Sequence, residues 1–96
     1  MGHPHLPPQP EEPRGVRWAK RAHAYLARHG YFRGFRRLSD GQRYQLIREG
    51  LEEYLRLNPL PPEHVDEALE WMLESRRLHE ARALAKLTGR RLPRRR

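Results

Sequence analysis

Between Pro13 and Gly89 the apolar residues of this chain return every three or four positions, a period that commits the middle of the chain to amphipathic helices. Residues that end helices punctuate the pattern. Pro13 stands at the start of the first periodic stretch, and Gly30 stops it as a left-handed residue. The run Asn58-Pro59-Leu60-Pro61-Pro62 stops the second, and Gly89 the last. At 96 residues there is room for one core only.

Projected at 100° per residue, residues 14–29 place Trp18, Ala19, Ala22, Tyr25, Leu26 and His29 on one face, with Arg17, Lys20, Arg21 and Arg28 on the other. Ser39-Asp40-Gly41-Gln42 reads as a capping box that opens a helix over 40–57. Its apolar face is Tyr44, Ile47, Leu51, Tyr54 and Leu55, widened by Leu46, Gly50 and Leu57, with Gly50 suited to a close helix–helix approach. A third helix over 62–75 carries Val65, Ala68, Leu69, Met72 and Leu73 on one side. Continuing it would put Arg76 in the centre of that side, so a break is predicted near Ser75. A fourth helix over 77–88 then presents Leu78, Ala81, Leu84, Ala85 and Thr88.

The predicted fold is all-α: a small three- to four-helix orthogonal bundle over residues 14–89. It is flanked by a disordered Pro-rich leader over 1–13 and an Arg-rich tail over 90–96. Residues 61–89 resemble helix-turn-helix modules in having a short break between two helices and a LAKLTG ending, which would imply DNA contact through a recognition helix. They depart from that pattern after Gly89, where Pro93 and an arginine run leave no room for such a helix.

Charge is segregated along the chain. Residues 16–48 hold nine basic residues and one acid, 49–75 hold eight acids and one arginine, and 76–96 hold nine basic residues and one acid. Two arrangements follow from this order. Either the acidic block neutralises the basic ones within the fold, or the basic blocks converge on one face and leave the acidic hairpin opposite. With lysine only at positions 20 and 86, a single asparagine and no cysteine, the composition is also thermophile-like, which accounts for part of the arginine content.

The segment 31–38 interleaves Tyr31, Phe32 and Phe35 with Arg33, Arg36 and Arg37, the pairing of stacking rings and phosphate-holding guanidiniums that single-strand binders use. The alternative for the same residues is that Phe32, Phe35 and Leu38 tuck into the core and anchor a short connector. Catalysis finds little support: Ser39 is taken as a cap, Ser75 and Thr88 have no base in view, and no histidine pair has metal-ligand spacing. No enzyme activity, metal or cofactor is expected, and no small-molecule substrate is evident. No apolar run approaches the ~20 residues of a membrane span. Membrane partners are therefore not expected, and a cytoplasmic location is.

The expected function is non-enzymatic association with nucleic acid, RNA or single-stranded DNA, as part of a larger complex. Arg17, Lys20, Arg21 and Arg28 would form a phosphate-facing stripe, Arg33, Arg36 and Arg37 a clamp, and Tyr31 with Phe35 the stacking platform. Arg90 and Arg91 would add sequence-independent attraction. The alternative is a protein-interaction adaptor or assembly subunit. In that reading the acidic 49–75 hairpin meets the basic face of a protein partner or of a second copy.

Overall fold

The structure, a computed structural model, describes residues 11–93, so most of the predicted leader and the last three arginines lie outside the described residues. It is an all-helical bundle of four helices: α1 (Arg14–Arg28), α2 (Asp40–Leu57), α3 (Val65–Glu74) and α4 (Leu78–Thr88). Single 3-10 turns at Phe35–Arg37 and Pro62–His64 precede α2 and α3. No strand occurs among the described residues.

The helix ends follow local chemistry. At α2 the Ser39 hydroxyl accepts from the Gln42 amide at 3.2 Å while the Ser39 amide donates to Gln42 Oε1 at 2.8 Å, the reciprocal cap that the sequence predicts. Three helices close with the same pair of backbone bonds. In α1 they run from Gly30 to Ala27 and from Tyr31 to Leu26, and in α4 from Gly89 to Lys86 and from Arg90 to Ala85. In α3 they run from Arg76 to Leu73 and from Arg77 to Met72. The left-handed residue that this motif requires is glycine in the first two cases, but Arg76, at φ 59°, in the third. The predicted break near Ser75 is thus a full helix stop, held with a side chain where glycine costs least.

The faces meet largely as the periodicity predicts. Leu26, Ile47, Leu51, Val65, Leu69, Met72 and Leu84 are fully buried, with Trp18 and Tyr54 nearly so. Alanines at 19, 22, 68, 81, 83 and 85 let the backbones approach. Three expectations fail. Leu57, placed on the widened apolar face of α2, is 54% exposed because it is the last residue of the helix, beyond the packed turns. Leu78 is 44% exposed, because α4 packs against both α2 and α3 and its buried arc swings toward Glu80 and Ala83, away from its first residue. His29 is exposed because α1 ends at Arg28 and the chain turns away at its cap.

α1 and α2 run antiparallel. The Trp18 indole donates to the Asn58 carbonyl at 2.7 Å near one end, and Gly50 lies beneath Leu26 and Tyr31 near the other. A Cβ at Gly50 would stand 2.3 Å from Leu26 Cδ2, so the close approach predicted at this glycine is present. An equally tight contact joins α1 to the start of α3. A Cβ at Gly15 would stand 2.1 Å from the His64 carbonyl oxygen, and the Gly15 amide donates to Glu67 Oε1 at 2.9 Å. That bond, with His64 Nδ1 at 2.9 Å, holds the Glu67 carboxyl below the usual carboxylate range.

α1 meets α4 through a buried polar pair. His23 Nδ1 lies 2.8 Å from Glu80 Oε2, and Glu80 is only 4% exposed. Burial raises the Glu80 carboxyl, outweighing the opposite pull of His23 and Arg77. Its second oxygen is buried without a hydrogen-bond partner among the described residues.

Candidate nucleic-acid interface

One turn of helix advances 3.6 residues, so spacings of three, four and seven keep side chains in line. Arg14, Arg17, Arg21 and Arg28 obey these spacings and form a single file along the exposed side of α1, about 21 Å long at 1.5 Å per residue. All four are exposed, and none has a carboxylate partner among the described residues. Lys20, predicted to belong to this stripe, stands about 60° round the helix from Arg17 on the side away from the other three, and pairs with Glu12 instead. Arg14, which belongs to the file, is absent from the stripe expected from sequence, although its spacing of three from Arg17 is a signal for it.

The file borders a groove of about 490 Å³ between α1 and the last turn of α2. Arg14, Arg17 and Arg21 form one wall, Leu57 and the Asn58–Pro61 turn form the other, and Trp18 and Tyr54 lie between them. These two rings meet edge to face at 5.3 Å. Burial raises the Tyr54 phenol against the pull of Arg21, so it stays neutral. A smaller concavity beside it, sharing Arg21 and Tyr54, is lined by Arg28 and Tyr25, whose half-buried ring lies 4.2 Å from the exposed His29 ring. Tyr25 lines this concavity beside Arg21 and Arg28, while its ring also packs against Tyr54 at 5.1 Å and Tyr31 at 6.5 Å. The sequence placed Tyr25 and His29 on the apolar face of α1 and gave them no site role.

The 31–38 segment is placed differently from its predicted use. Phe35 packs edge-on against Phe32 at 5.4 Å and against His79 at 6.2 Å. The Arg43 guanidinium stands 5.5 Å from its ring centre while donating to the Phe35 carbonyl at 2.7 Å. Phe32 lies against His23 at 5.1 Å. These rings roof the His23–Glu80 pair and anchor the connector, the alternative raised for them above. Tyr31 rests on Gly50, and burial together with Tyr25, Glu49 and Glu53 raises its phenol. With two carboxylates near it, Tyr31 faces surroundings hostile to phosphate. Tyr31 and Phe35 thus form no shared open platform.

Arg33 is exposed and folds back over Gly30 at the end of α1, its Cδ 3.5 Å from where a Cβ would stand. Arg36 and Arg37 are exposed on the 3-10 turn before α2. At the other end of the chain, Arg90 is bound to Asp66 at 3.3 Å and to the Pro62 carbonyl at 2.8 Å, whereas Arg91 is exposed and unpaired among the described residues. The Arg90–Asp66 bridge is the one ion pair between the acidic block and a basic block among the described residues. The acidic hairpin therefore does not quench the arginine file by contact.

Among the described residues no cluster of three or more His, Cys, Asp or Glu has metal-binding geometry, and no helix is long and apolar enough to cross a membrane. Comparison of the chain with protein-family models, with curated proteins and with solved structures gives no match.

Proposed function

We propose that this protein binds single-stranded nucleic acid, RNA or DNA, along α1, acting as a non-enzymatic component of a larger cytoplasmic assembly. The observation that carries the reading is the unpaired file of Arg14, Arg17, Arg21 and Arg28 along grooves edged by aromatic rings. A file one side chain wide suits one phosphate backbone. The guanidiniums hold phosphates without reading sequence, and Tyr25, which lines the smaller concavity beside Arg21 and Arg28, lies where a base turned inward would meet it.

Fluorescence anisotropy with single-stranded oligomers at rising salt tests this. Four phosphate contacts on a single strand give log K a slope against log salt of about −3. Replacing Arg17 and Arg21 together by glutamine should flatten the slope by about 1.4. Absence of binding at low salt, or a slope unchanged in the double variant, refutes the proposal.

A second reading draws on α3 and the 3-10 turn before it, where Glu63, Asp66, Glu70 and Glu74 are exposed and, among the described residues, only Asp66 meets a basic residue. As an adaptor, the protein would offer these acids to a basic protein surface. Sedimentation showing a monomer at high concentration, with no shift on adding basic peptides, argues against that use.

A further inference from the structure

At the opposite end of α2 a wider groove, of about 1160 Å³, opens between its first turns and α4. Tyr44, which lines it, lies about 15 Å along the helix from Tyr54 in the α1 groove, so the two sites are distinct. Four cations line this groove, and besides Arg90 they are Arg82 and Lys86, one turn apart on α4, and Arg91 just beyond. These last three are exposed, and none of them has a carboxylate partner among the described residues. Arg90 is anchored beside them to Asp66 and the Pro62 carbonyl, which fixes the chain end that carries Arg91.

Like charges held in one concavity repel each other, and a multivalent anion converts that repulsion into attraction. The rest of the lining restricts which anion fits. The half-buried Tyr44 ring presents an aromatic surface, and its hydroxyl has no hydrogen-bond partner among the described residues. Asp40 lines the same groove with a carboxylate that is 75% exposed and 3.4 Å from His79 Nε2. A carboxylate there repels a second phosphate and accepts hydrogen bonds from hydroxyl or amino groups. Gly41 leaves the wall open, with nothing within 4 Å of a would-be Cβ.

We infer that this groove is a binding site for a nucleotide phosphomonoester. The phosphate sits among Arg82, Lys86 and Arg91, the base against Tyr44, and the sugar hydroxyls toward Asp40. Such a group is carried both by a free mononucleotide and by the 5′-phosphorylated end of a strand. The site uses none of the α1 arginines and stands or falls separately from the function proposed above.

The test follows amide signals of Gly41 and Lys86 by NMR in the full chain. Adenosine monophosphate, adenosine and inorganic phosphate are titrated separately, as are oligomers with a 5′-phosphate or a 5′-hydroxyl. Adenosine monophosphate should bind at least about tenfold more tightly than adenosine or inorganic phosphate. The double variant Arg82→Ala/Lys86→Ala should lose that affinity, and Arg17→Gln/Arg21→Gln should retain it. A 5′-phosphate that strengthens oligomer binding only when Arg82 and Lys86 are present assigns the site to strand ends. Binding of the free nucleotide alone, with no such gain for oligomers, assigns it to mononucleotides. Equal affinity for adenosine and its monophosphate, or indifference of all phosphorylated probes to Arg82→Ala/Lys86→Ala, overturns the inference.

Discussion

Gly15 and Gly41 are each the second residue of their helix, so replacing either by alanine makes the same chemical change at the same helical position. The two replacements should nonetheless move stability in opposite directions. At Gly41 a Cβ enters open space, and the loss of backbone freedom in the unfolded chain stabilises the fold by about 0.4–1 kcal/mol. At Gly15 a Cβ would lie 2.1 Å from the His64 oxygen, 2.7 Å from Glu67 Cβ and 2.9 Å from the Ala68 amide nitrogen. A carbon–oxygen contact needs roughly 3.3 Å, so α1 must move away from α3 by about 1 Å. Two of the three obstacles are backbone atoms, which cannot rotate aside. The shift stretches the Gly15–Glu67 bond and loosens the contact between the alanine-lined faces. Overpacking of this kind costs about 1–3 kcal/mol or more, and the helical preference of alanine returns at most about 1 kcal/mol. With the stretched bond included, the net loss is about 2–3 kcal/mol, a fall in Tm of roughly 10–20 °C for a domain of this size. Thermal and urea unfolding followed by circular dichroism at 222 nm measures both variants. If Gly15→Ala unfolds within about 0.5 kcal/mol of the parent, or if Gly41→Ala is equally damaging, the packing of α1 on α3 is not as described.

Two further outcomes follow from the fold. Arg76→Gly places glycine at the left-handed stop of α3 and should raise stability by about 0.5–1 kcal/mol, read from the urea midpoint at unchanged m; a loss would mean that the Arg76 side chain contributes more than its backbone strain costs. Because the Glu80 carboxyl is raised in the fold, its contribution is fully present below its unfolded value and is lost as pH rises through the folded one. Glu80→Gln keeps a side chain able to meet His23 in either tautomer and removes the buried charge. The variant should gain on the parent as pH climbs from 4 to 7, and a stability difference that does not change with pH contradicts the burial described.

What the sequence showed was what local chemistry decides. Helix starts and stops were legible at Ser39, Gly30, Gly89 and the 58–62 prolines because capping and left-handed closure involve residues a few positions apart. The stop at Ser75 was legible for a different reason, since the apolar face could not continue through Arg76. Gly15 was not, because nothing nearby in sequence distinguishes it from Gly41, and the atoms that crowd it come from residues 64–68. The arginine file was half legible. Arg17, Arg21 and Arg28 share a helix face by periodicity, but the diversion of Lys20 to Glu12 and the groove wall from α2 depend on packing. The aromatic–arginine alternation at 31–37 misled for the same reason. A ring is a platform only if one face stays open, and here Arg43, Phe32 and His79 surround Phe35.

The charge order along the chain admitted either neutralisation or convergence, and neutralisation by contact is confined, among the described residues, to one cross-block pair, Arg90–Asp66. Exposed basic residues line α1 and α4 and exposed acids line α3, while α2 carries both signs. Packed helices lie about 8–10 Å apart, close to one Debye length at physiological salt, so each row acts on a partner nearly independently of the next. Net charge should therefore predict affinity poorly. Replacing Glu70 and Glu74 by glutamine raises the net charge from +8 by two units, and replacing Arg17 and Arg21 lowers it by two. A protein read by its total charge would respond to these changes equally and oppositely. With the file on α1 as the contact, the acidic pair should change oligomer affinity at 150 mM salt by less than about threefold, and the arginine pair by at least about tenfold. Equal and opposite shifts in the two double variants would mean that the strand responds to the field of the whole molecule and that no groove on α1 holds it.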